Sequence, residues 1–467
     1  LVRKVAPECA LFLKREDETL PVAAGKVALY GSGARKTIKG GTGSGDVNVR
    51  HYVTIEEGME NAGFEITSKA WMDAYDNVVA EAHKTFVERV KKEAAELGIN
   101  AVMYGMGKAM PEPEYELPLD AEGDLVTPGL VEGHTHLVFG GYRQNEIPLK
   151  LKGAGYLDIL RAGGGINDTV KKTREASFEE LYDKTEGFLD EMMTLGVTTC
   201  EAKSGYGIDL KTEVKLLEVL KKLNEDHPMD IVSTFMPAHV VLADWKGRED
   251  EFIQLCIDEM MPYVKEHNLA EFIDIFTEDS VFDVEQSRKY LQAAKDMGFG
   301  LKIHADEIEA IGGSVLAGEM HATSAEHLIV IDDAGMASMA KGGTIAMCLP
   351  ATSFYLGATF APVRRMIDEF EVPVAIASDF NPGSCPSLNL QFVMNLGYLK
   401  YRMTPEEVLT AVTINPACGI NRGDRVGTLE VGKDADMVIW NAPNMEMLCY
   451  RFGSNLARQT IKKGNLV

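Results

Sequence analysis

From Val126 onward, short apolar runs alternate with longer stretches in which apolar residues recur at helical spacing. This rhythm is typical of successive βα units, in which a helix follows each strand. The runs predicted to be strands are residues 130–137, 197–202, 230–238, 271–276, 300–304, 323–327, 344–348 and 374–378. Because eight parallel strands close a (β/α)8 barrel, the pattern predicts an α/β fold built around such a barrel.

The segments on either side of these runs follow other patterns. Residues 423–467 alternate short strand-like runs with turns and are predicted to form a small β-unit. Residues 26–34 look like a buried strand that enters a glycine turn, and a charged helix is predicted at about 72–97. A proline-rich acidic stretch at 110–118 is typical of a linker. We therefore predict a partial α/β segment at 1–124, a barrel at 125–422 and the β-unit at 423–467.

Composition narrows the classes of partner. Of the 467 residues, 45% are hydrophobic and 25% charged, which is ordinary for a globular protein with a full core. The formal net charge of −24 disfavours nucleic acid and anionic membrane surfaces and leaves a small-molecule substrate as the expected partner. The sequence is compatible with a homodimer.

The seven cysteines are scattered without a CxxC pair, so they are expected to be reduced thiols of a cytoplasmic protein. The first residues contain no apolar stretch of the kind that signal peptides carry. A start at Leu1 rather than at methionine suggests trimming, processing or a fragment.

Polar residues that can bind a metal follow several of the predicted strands. His134 and His136 end the first, His304 ends the fifth and Asp379 follows the eighth. Alternate residues of a strand share a face, and the carboxyl ends of barrel strands meet at one rim, so these groups are expected to converge. Three imidazoles and a carboxylate suit one zinc or iron ion with a position left for water. A metal-dependent hydrolase is the leading hypothesis, although lone histidines on apolar strands are usually core residues.

Two further residues have candidate catalytic roles beside a metal. Asp379 could take a proton from water and pass it to a leaving nitrogen, and its alternative role is a helix N-cap before Asn381. His327, at the end of the sixth predicted strand, could polarise a scissile carbonyl, bind a second metal, or be a core residue. No lysine ends the fourth strand to bridge two metals as a carbamate, which favours a single ion and an electrophilic His327.

Other rim residues are candidates for binding substrate. Arg143 could hold a carboxylate through two hydrogen bonds, or could be an exposed side chain paired with Glu146. Glu307 is a candidate for both catalysis and substrate binding, since it could accept a hydrogen bond from a ring N–H, and surface solvation is its alternative. Tyr156 and Tyr206 follow glycines on loops and could equally be packing aromatics.

Five segments together closely resemble imidazolonepropionase, a cyclic-amide hydrolase of the amidohydrolase superfamily. They are the segments at 126–141, 162–166, 201–207, 304–307 and 377–384, and the similarity extends over about 125–467. The resemblance implies hydrolysis of 4-imidazolone-5-propanoate to N-formimidoyl-L-glutamate in histidine degradation. It also implies one zinc or iron ion bound by His134, His136, His304 and Asp379. The positions it assigns to substrate contact are Arg143, Tyr156, Tyr206, His239, Glu307, Asn381, Gly383 and Ser384.

The N-terminal part of the chain does not follow the sequence pattern of that family. Imidazolonepropionases carry strands before the barrel that build a small sandwich with the tail, and the sequence pattern does not reveal them here. Residues 1–124, especially 35–46 and 107–116, instead resemble part of the α/β sandwich domain of family 3 β-glucosidases. The chain is therefore predicted to be a fusion of two unrelated pieces, of which the glycosidase piece is incomplete.

Three other functions remain open at this point. A different cyclic-amide hydrolase, such as a hydantoinase-like enzyme, is disfavoured by the sequence around Arg143 and Tyr206. A carbohydrate-binding protein would place its function in residues 1–124. An inactive fusion is the third, because tail strands without partners could expose a sheet edge.

Overall fold

A computed structural model describes residues 26–27, 35, 54–66, 68–105, 108, 121, 123–153 and 164–467. The chain divides into two compact units, Leu1–Asp120 and Ala121–Val467. The predicted linker at 110–118 and most of the predicted glycine turn lie outside the described residues.

The first unit contains two short parallel strands and three helices among its described residues. Strand β1 (Lys26–Val27) pairs with β2 (Glu65–Ile66). The helices are Ile55–Asn61, Lys69–Glu96 and Ala101–Gly105. Arg35 donates to Glu56 and Asp73 at 2.7 Å in each case, which ties a turn to the first two helices.

The second unit is built around a parallel sheet of eight strands. The first strand of the unit, β3 (Val126–Pro128), precedes these eight and belongs to a separate sheet. The eight parallel strands follow: β4 (Leu130–Glu132), β5 (Val197–Lys203), β6 (Asp230–Ala238), β7 (Phe272–Thr277), β8 (Gly300–Ala305), β9 (Ser324–His327), β10 (Ile345–Cys348) and β11 (Val374–Ile376). Each strand pairs with the next along the chain, so the order runs β4 to β11 without a crossover. Each of the predicted runs overlaps one of these strands, and the predicted (β/α)8 hydrolase barrel is confirmed.

The first and last strands meet through the residues that follow them. Thr135 forms a parallel bridge with Phe380, and the Asp379 amide donates to the His134 carbonyl at 3.1 Å. The His136 amide donates to the Phe380 carbonyl at 2.9 Å. The first strand was predicted to reach residue 137, but β4 ends at Glu132 and the residues after it contribute a bridge instead. This contact closes the curled sheet at its carboxyl rim.

Helices surround the parallel sheet and cover its outer face. They are Ile147–Leu151, Ile166–Glu175, Phe178–Thr194, Leu210–Asp226, Glu249–Leu255, Met261–Glu266, Val284–Asp296, Gly313–Met320, Asp333–Gly342, Pro350–Leu356, Val363–Asp368, Leu390–Leu399, Pro405–Ala411, Ile414–Gly419 and Met445–Tyr450. Short 3-10 turns occur at Gln144–Glu146 and Ala243–Trp245, and a π-helical turn at Cys256–Met260. Side chains cap the N-termini of several of these helices. Ser177 and Glu180, for example, form a capping box at the N-terminus of Phe178–Thr194. None of the helices among the described residues is both long and apolar enough to cross a bilayer.

The tail forms the predicted small β-unit together with a strand from before the barrel. Strands β12 (Met437–Trp440), β13 (Ala457–Lys462) and β14 (Asn465–Leu466) are antiparallel, and β3 pairs with β12 at the opposite edge from β14. The sequence pattern missed β3 because it has three residues and contains Pro128, which is unusual within a sheet. The buried indole Nε1 of Trp440 donates to Thr127 Oγ1 at 2.8 Å and ties β12 to β3.

Thr127→Val should destabilise the second unit by about 1–3 kcal/mol, because the buried indole N–H would lose its acceptor while the side-chain shape is kept. Thermal unfolding followed by circular dichroism measures the effect. Thr198→Val is the matched control: the buried Thr198 hydroxyl has no hydrogen-bond partner within the described ranges, so its removal should be neutral or stabilising. Equal melting temperatures for Thr127→Val and the unmodified chain would contradict the importance of this contact.

Candidate metal centre

Three histidines converge at the carboxyl rim of the barrel. His134 and His136 follow β4 and His304 lies on β8, and all three are buried. One nitrogen from each ring lies within 4.8 Å of the others. The ring centroids of His134 and His304 are 4.8 Å apart and those of His134 and His136 are 5.4 Å apart. The structure thus brings together three of the four residues predicted to bind metal.

Two of the three imidazoles are held through their Nδ1 atoms. His134 Nδ1 lies 2.7 Å from Glu326 Oε2, and His304 Nδ1 lies 3.1 Å from Asp274 Oδ1. The Nε2 atoms of both rings are buried and have no hydrogen-bond partner among the described residues. Unpaired buried nitrogens are costly unless another group satisfies them, so this arrangement suits a cation.

Asp379 lies beside the same point. Its Oδ1 is 3.5 Å from His134 Nε2 and 3.7 Å from His136 Nε2, and its Oδ2 accepts a hydrogen bond from Thr352 Oγ1 at 2.6 Å. Burial raises the pKa of this carboxyl to about 6. Asp379 has a φ of 57°, an uncommon conformation for a residue other than glycine. It does not cap a helix, since the next helix begins at Leu390 with Asn389 as its N-cap.

The charge state of the histidines fits metal binding. Burial lowers the pKa values of His134 and His136 well below the usual range and that of His304 to about 3, so all three rings are neutral near pH 7. Three neutral imidazoles with one carboxylate form a donor set that zinc and iron(II) accept. The residues present therefore fit the predicted ion.

A second set of aromatic and imidazole groups lines the same cavity. The ring of His239, which follows β6, stacks on His136 at 4.7 Å with planes 9° apart. His239 Nδ1 lies 3.0 Å from the Gly205 carbonyl oxygen, and burial lowers its pKa to about 4. Tyr206 is buried with its ring 5.4 Å from that of His239. A planar ligand could contact these rings beside the metal position.

Arg143 and the loop after β11 also line this cavity. Arg143 makes no ion pair with a carboxylate among the described residues, and its buried Nε has no hydrogen-bond partner. Its guanidinium lies directly against Gly383, where a Cβ atom would overlap it. Asn381 Oδ1 accepts from the Gly383 and Ser384 amides at 2.8 Å each, which fixes the loop under the guanidinium. An unpaired guanidinium at a cavity wall is suited to a carboxylate ligand.

His327 and Glu307 lie together on a third side. His327 ends β9 with a φ of 69°, and its Nε2 is 3.6 Å from Glu307 Oε2. Burial, followed by the charge of Glu278, raises the pKa of Glu307 to about 7. Glu307 can therefore carry or release a proton near neutral pH.

One cavity of about 90 Å³ connects these groups. Its lining includes His136, Arg143, Ile166, Tyr206, His239, Phe276, His304, Glu307, His327, Asp379, Asn381 and Ser384. Most of the residues predicted from the sequence thus share one cavity, while Tyr156 lies outside the described residues.

The sequence reasoning missed the charged groups beneath the histidines. Glu326 and Asp274 hold the Nδ1 atoms, and Lys203 forms ion pairs with Glu201 and Asp274 at 2.7 and 2.9 Å. Thr352 holds Asp379. A signal was available, since a charged residue inside an apolar buried strand requires a partner. Its partner could not be identified without the strand register.

Comparison with known proteins gives a family. A profile of the amidohydrolase family matches residues 125–467. An imidazolonepropionase from Alkaliphilus metalliredigens is 53% identical over 350 residues, which are 75% of this chain and 83% of that protein. One from Streptococcus pyogenes serotype M3 is 50% identical over 372 residues, 79% of this chain and 88% of that protein.

Solved structures with low sequence identity share the fold. A 5-methylcytosine deaminase from Klebsiella pneumoniae has a TM-score of 0.60 at 17% identity, covering 77% of this chain and 90% of that one. An atrazine chlorohydrolase from Arthrobacter aurescens TC1, solved with zinc, has a TM-score of 0.52 at 16% identity, covering 74% and 83%.

Proposed function

The chain belongs to the amidohydrolase family and, within it, to the imidazolonepropionases, and we propose that it hydrolyses 4-imidazolone-5-propanoate to N-formimidoyl-L-glutamate in histidine degradation. Identity of 50–53% over three quarters or more of the chain carries this proposal. The cavity supports it, because a histidine cluster and an unpaired guanidinium face the same small space. The substrate is then a small molecule with a planar ring and one carboxylate.

His134, His136, His304 and Asp379 are the proposed ligands of one zinc or iron ion. Support comes from their convergence and from the unpaired Nε2 atoms of His134 and His304. Such an ion supplies Lewis acidity, which lowers the pKa of water from about 15.7 to about 7.

Asp379 is the proposed general base. Its Oδ1 faces the histidine nitrogens, while its Oδ2 accepts one hydrogen bond from Thr352 and keeps a second lone pair that can accept from a water molecule. A carboxyl with a pKa near 6 can accept a proton from water and release it to the leaving ring nitrogen. The ring amide carbon gains oxygen and loses its bond to that nitrogen, which leaves protonated.

His327 and Glu307 are proposed to act on the ring itself. The buried imidazole of His327 can donate a hydrogen bond to the amide oxygen, where negative charge develops. Glu307 would accept from a ring N–H. Tyr156, Tyr206, His239, Asn381, Gly383 and Ser384 are proposed as further substrate contacts.

Arg143 is the proposed partner of the propanoate carboxylate. It faces the cavity without an ion-pair partner among the described residues, and Gly383 leaves the space that the guanidinium occupies. All proposed site residues come from the barrel at 125–422, and we propose that residues 1–124 contribute none. A homodimer stays a prediction.

Purified protein should contain about one zinc or iron ion per chain, measured by elemental analysis, and should lose turnover on chelation and recover it on adding metal back. His304→Asn should bind no stoichiometric metal, because one ligand is removed. The control is His321→Asn, since His321 is exposed and its φ of 55° suits asparagine. Equal metal content in both variants would contradict the assigned ligand set.

Asp379→Asn should reduce turnover at least 100-fold while keeping part of the metal, because an amide cannot accept the water proton. Steady-state kinetics and elemental analysis on the same preparation measure both effects. Asp283→Asn is a matched control, since Asp283 caps a surface helix and asparagine caps nearly as well. Near-normal turnover of Asp379→Asn would remove the general-base assignment.

Arg143→Met should weaken binding of the carboxylate-bearing substrate by about 2–5 kcal/mol through loss of a desolvated charge pair. An analogue without the carboxylate should bind both proteins alike. Gly383→Ala should show the same selective loss, because the added Cβ displaces the guanidinium. Arg288→Met serves as control, since Arg288 pairs with Glu319 on the surface. If analogue and substrate weaken equally, Arg143 is structural.

A further inference from the structure

A layer of buried charges lies beneath the three histidines. Glu201, Lys203, Asp274, Lys302 and Glu326 are all fully buried. Burying five ionisable groups costs free energy that ion pairs only partly restore, and apolar side chains of similar volume would often stabilise a core better. The layer therefore calls for an explanation other than stability.

Two of the carboxylates use their oxygens in the same way. Asp274 places Oδ1 on His304 Nδ1 at 3.1 Å and Oδ2 on Lys203 Nζ at 2.9 Å. Glu326 places Oε2 on His134 Nδ1 at 2.7 Å, while its Oε1 accepts from Ser324 Oγ at 2.5 Å and lies 3.6 Å from Lys302 Nζ. The chain thus contains two separate lysine–carboxylate–histidine series.

Both series end on rings whose buried Nε2 atoms have no hydrogen-bond partner in the part of the chain that the structure describes. A carboxylate next to Nδ1 favours the proton on that nitrogen and leaves the Nε2 lone pair bare for a cation. The hydrogen bond to the carboxylate also prevents rotation of the imidazole ring about its Cβ–Cγ bond.

The lysines are themselves fixed. Lys203 pairs with Glu201 at 2.7 Å, and Lys302 donates to Ser324 Oγ at 2.9 Å and to the Gly419 carbonyl at 3.0 Å. Lys203 lies on β5, Asp274 on β7 and His304 on β8, so one series spans several strands of the sheet. The carboxylate positions are therefore set by the barrel and not by a mobile loop.

His136 provides an internal contrast. Its Nδ1 is buried and has no hydrogen-bond partner among the residues described, and its ring stacks on His239 instead. Among the residues that the structure describes, no carboxylate accepts a hydrogen bond from the Nδ1 of this third imidazole.

We propose that Asp274 and Glu326 are positioning residues, each held by its own lysine, which fix His304 and His134 as Nδ1-protonated rings and so set the metal affinity of the site. This inference rests on the metal centre of the proposed function. His136 contributes a ligand atom without this support.

The first test measures the dissociation constant for zinc by competition with a coloured chelator. Asp274→Asn and Glu326→Gln should each weaken zinc binding about 10–100-fold, because loss of a carboxylate partner lowers ligand basicity. Glu213→Gln is the control: Glu213 is a fully buried carboxylate that accepts from the Gly207 and Ile208 amides at 2.7 and 2.8 Å and touches none of the three rings. It should lose stability and bind zinc as the unmodified chain does. Unchanged affinity in the first two variants, or an equal loss in all three, would overturn the proposal.

The second test uses the unmodified chain, so its result does not depend on whether a variant folds. Long-range proton–nitrogen NMR of the metal-free, histidine-labelled full chain should show the Nδ1-protonated tautomer for His134 and His304. The Nε2-protonated tautomer at either ring would overturn the proposal. Absence of bound metal in the unmodified chain would contradict the proposed function, and the tautomers would still decide the positioning role.

Discussion

The contact that closes the barrel is the constraint on which the site depends. Residues after β4 and after β11 pair through the Thr135–Phe380 bridge and through the bond from the Asp379 amide to the His134 carbonyl. These same residues carry the histidine pair and the carboxylate. Because barrel closure and the convergence of the candidate metal ligands use the same two backbone segments, a shift of register here would separate Asp379 from both histidines. The positive φ of Asp379 indicates that the chain accepts local strain to keep this geometry.

The buried charges follow from the same placement. Hydrophobic packing alone does not fix the orientation of a neutral, buried imidazole, because either ring nitrogen can face the cavity. Carboxylates on other strands of the barrel, Asp274 on β7 and Glu326 on β9, remove this ambiguity, and lysines in turn hold the carboxylates. Asp274 illustrates this balance. Burial raises the pKa of its carboxyl, but the interactions with His304 and Lys203 lower that pKa by a larger amount, so the net shift is downward. The side chain stays ionised in a fully buried position.

The barrel and most of the site could be predicted from the sequence, for physical reasons. Strands buried on both faces give continuous apolar runs, and eight such runs with polar residues at their ends indicate the fold and the rim. Strand β3 could not be found because three residues with a proline carry no periodic signal. The pairing of Glu326 with His134 could not be found because the two residues are separated by 192 positions and meet only through the sheet. Residue type showed which groups needed partners, and the strand register was required to identify them.

Recognition of an anionic substrate must occur against the charge of the whole chain. A net charge of −24 repels carboxylates at long range, although salt at physiological strength screens exposed charges beyond about 8 Å. On the proposed assignment, selectivity depends on the short-range pairing of the Arg143 guanidinium with the carboxylate in a cavity of about 90 Å³. Arg143 suits this role only while its guanidinium is not paired with a protein carboxylate, and Gly383 keeps it at the wall without supplying one. The absence of a side chain at position 383 is thus as important for the cavity as the charge at position 143.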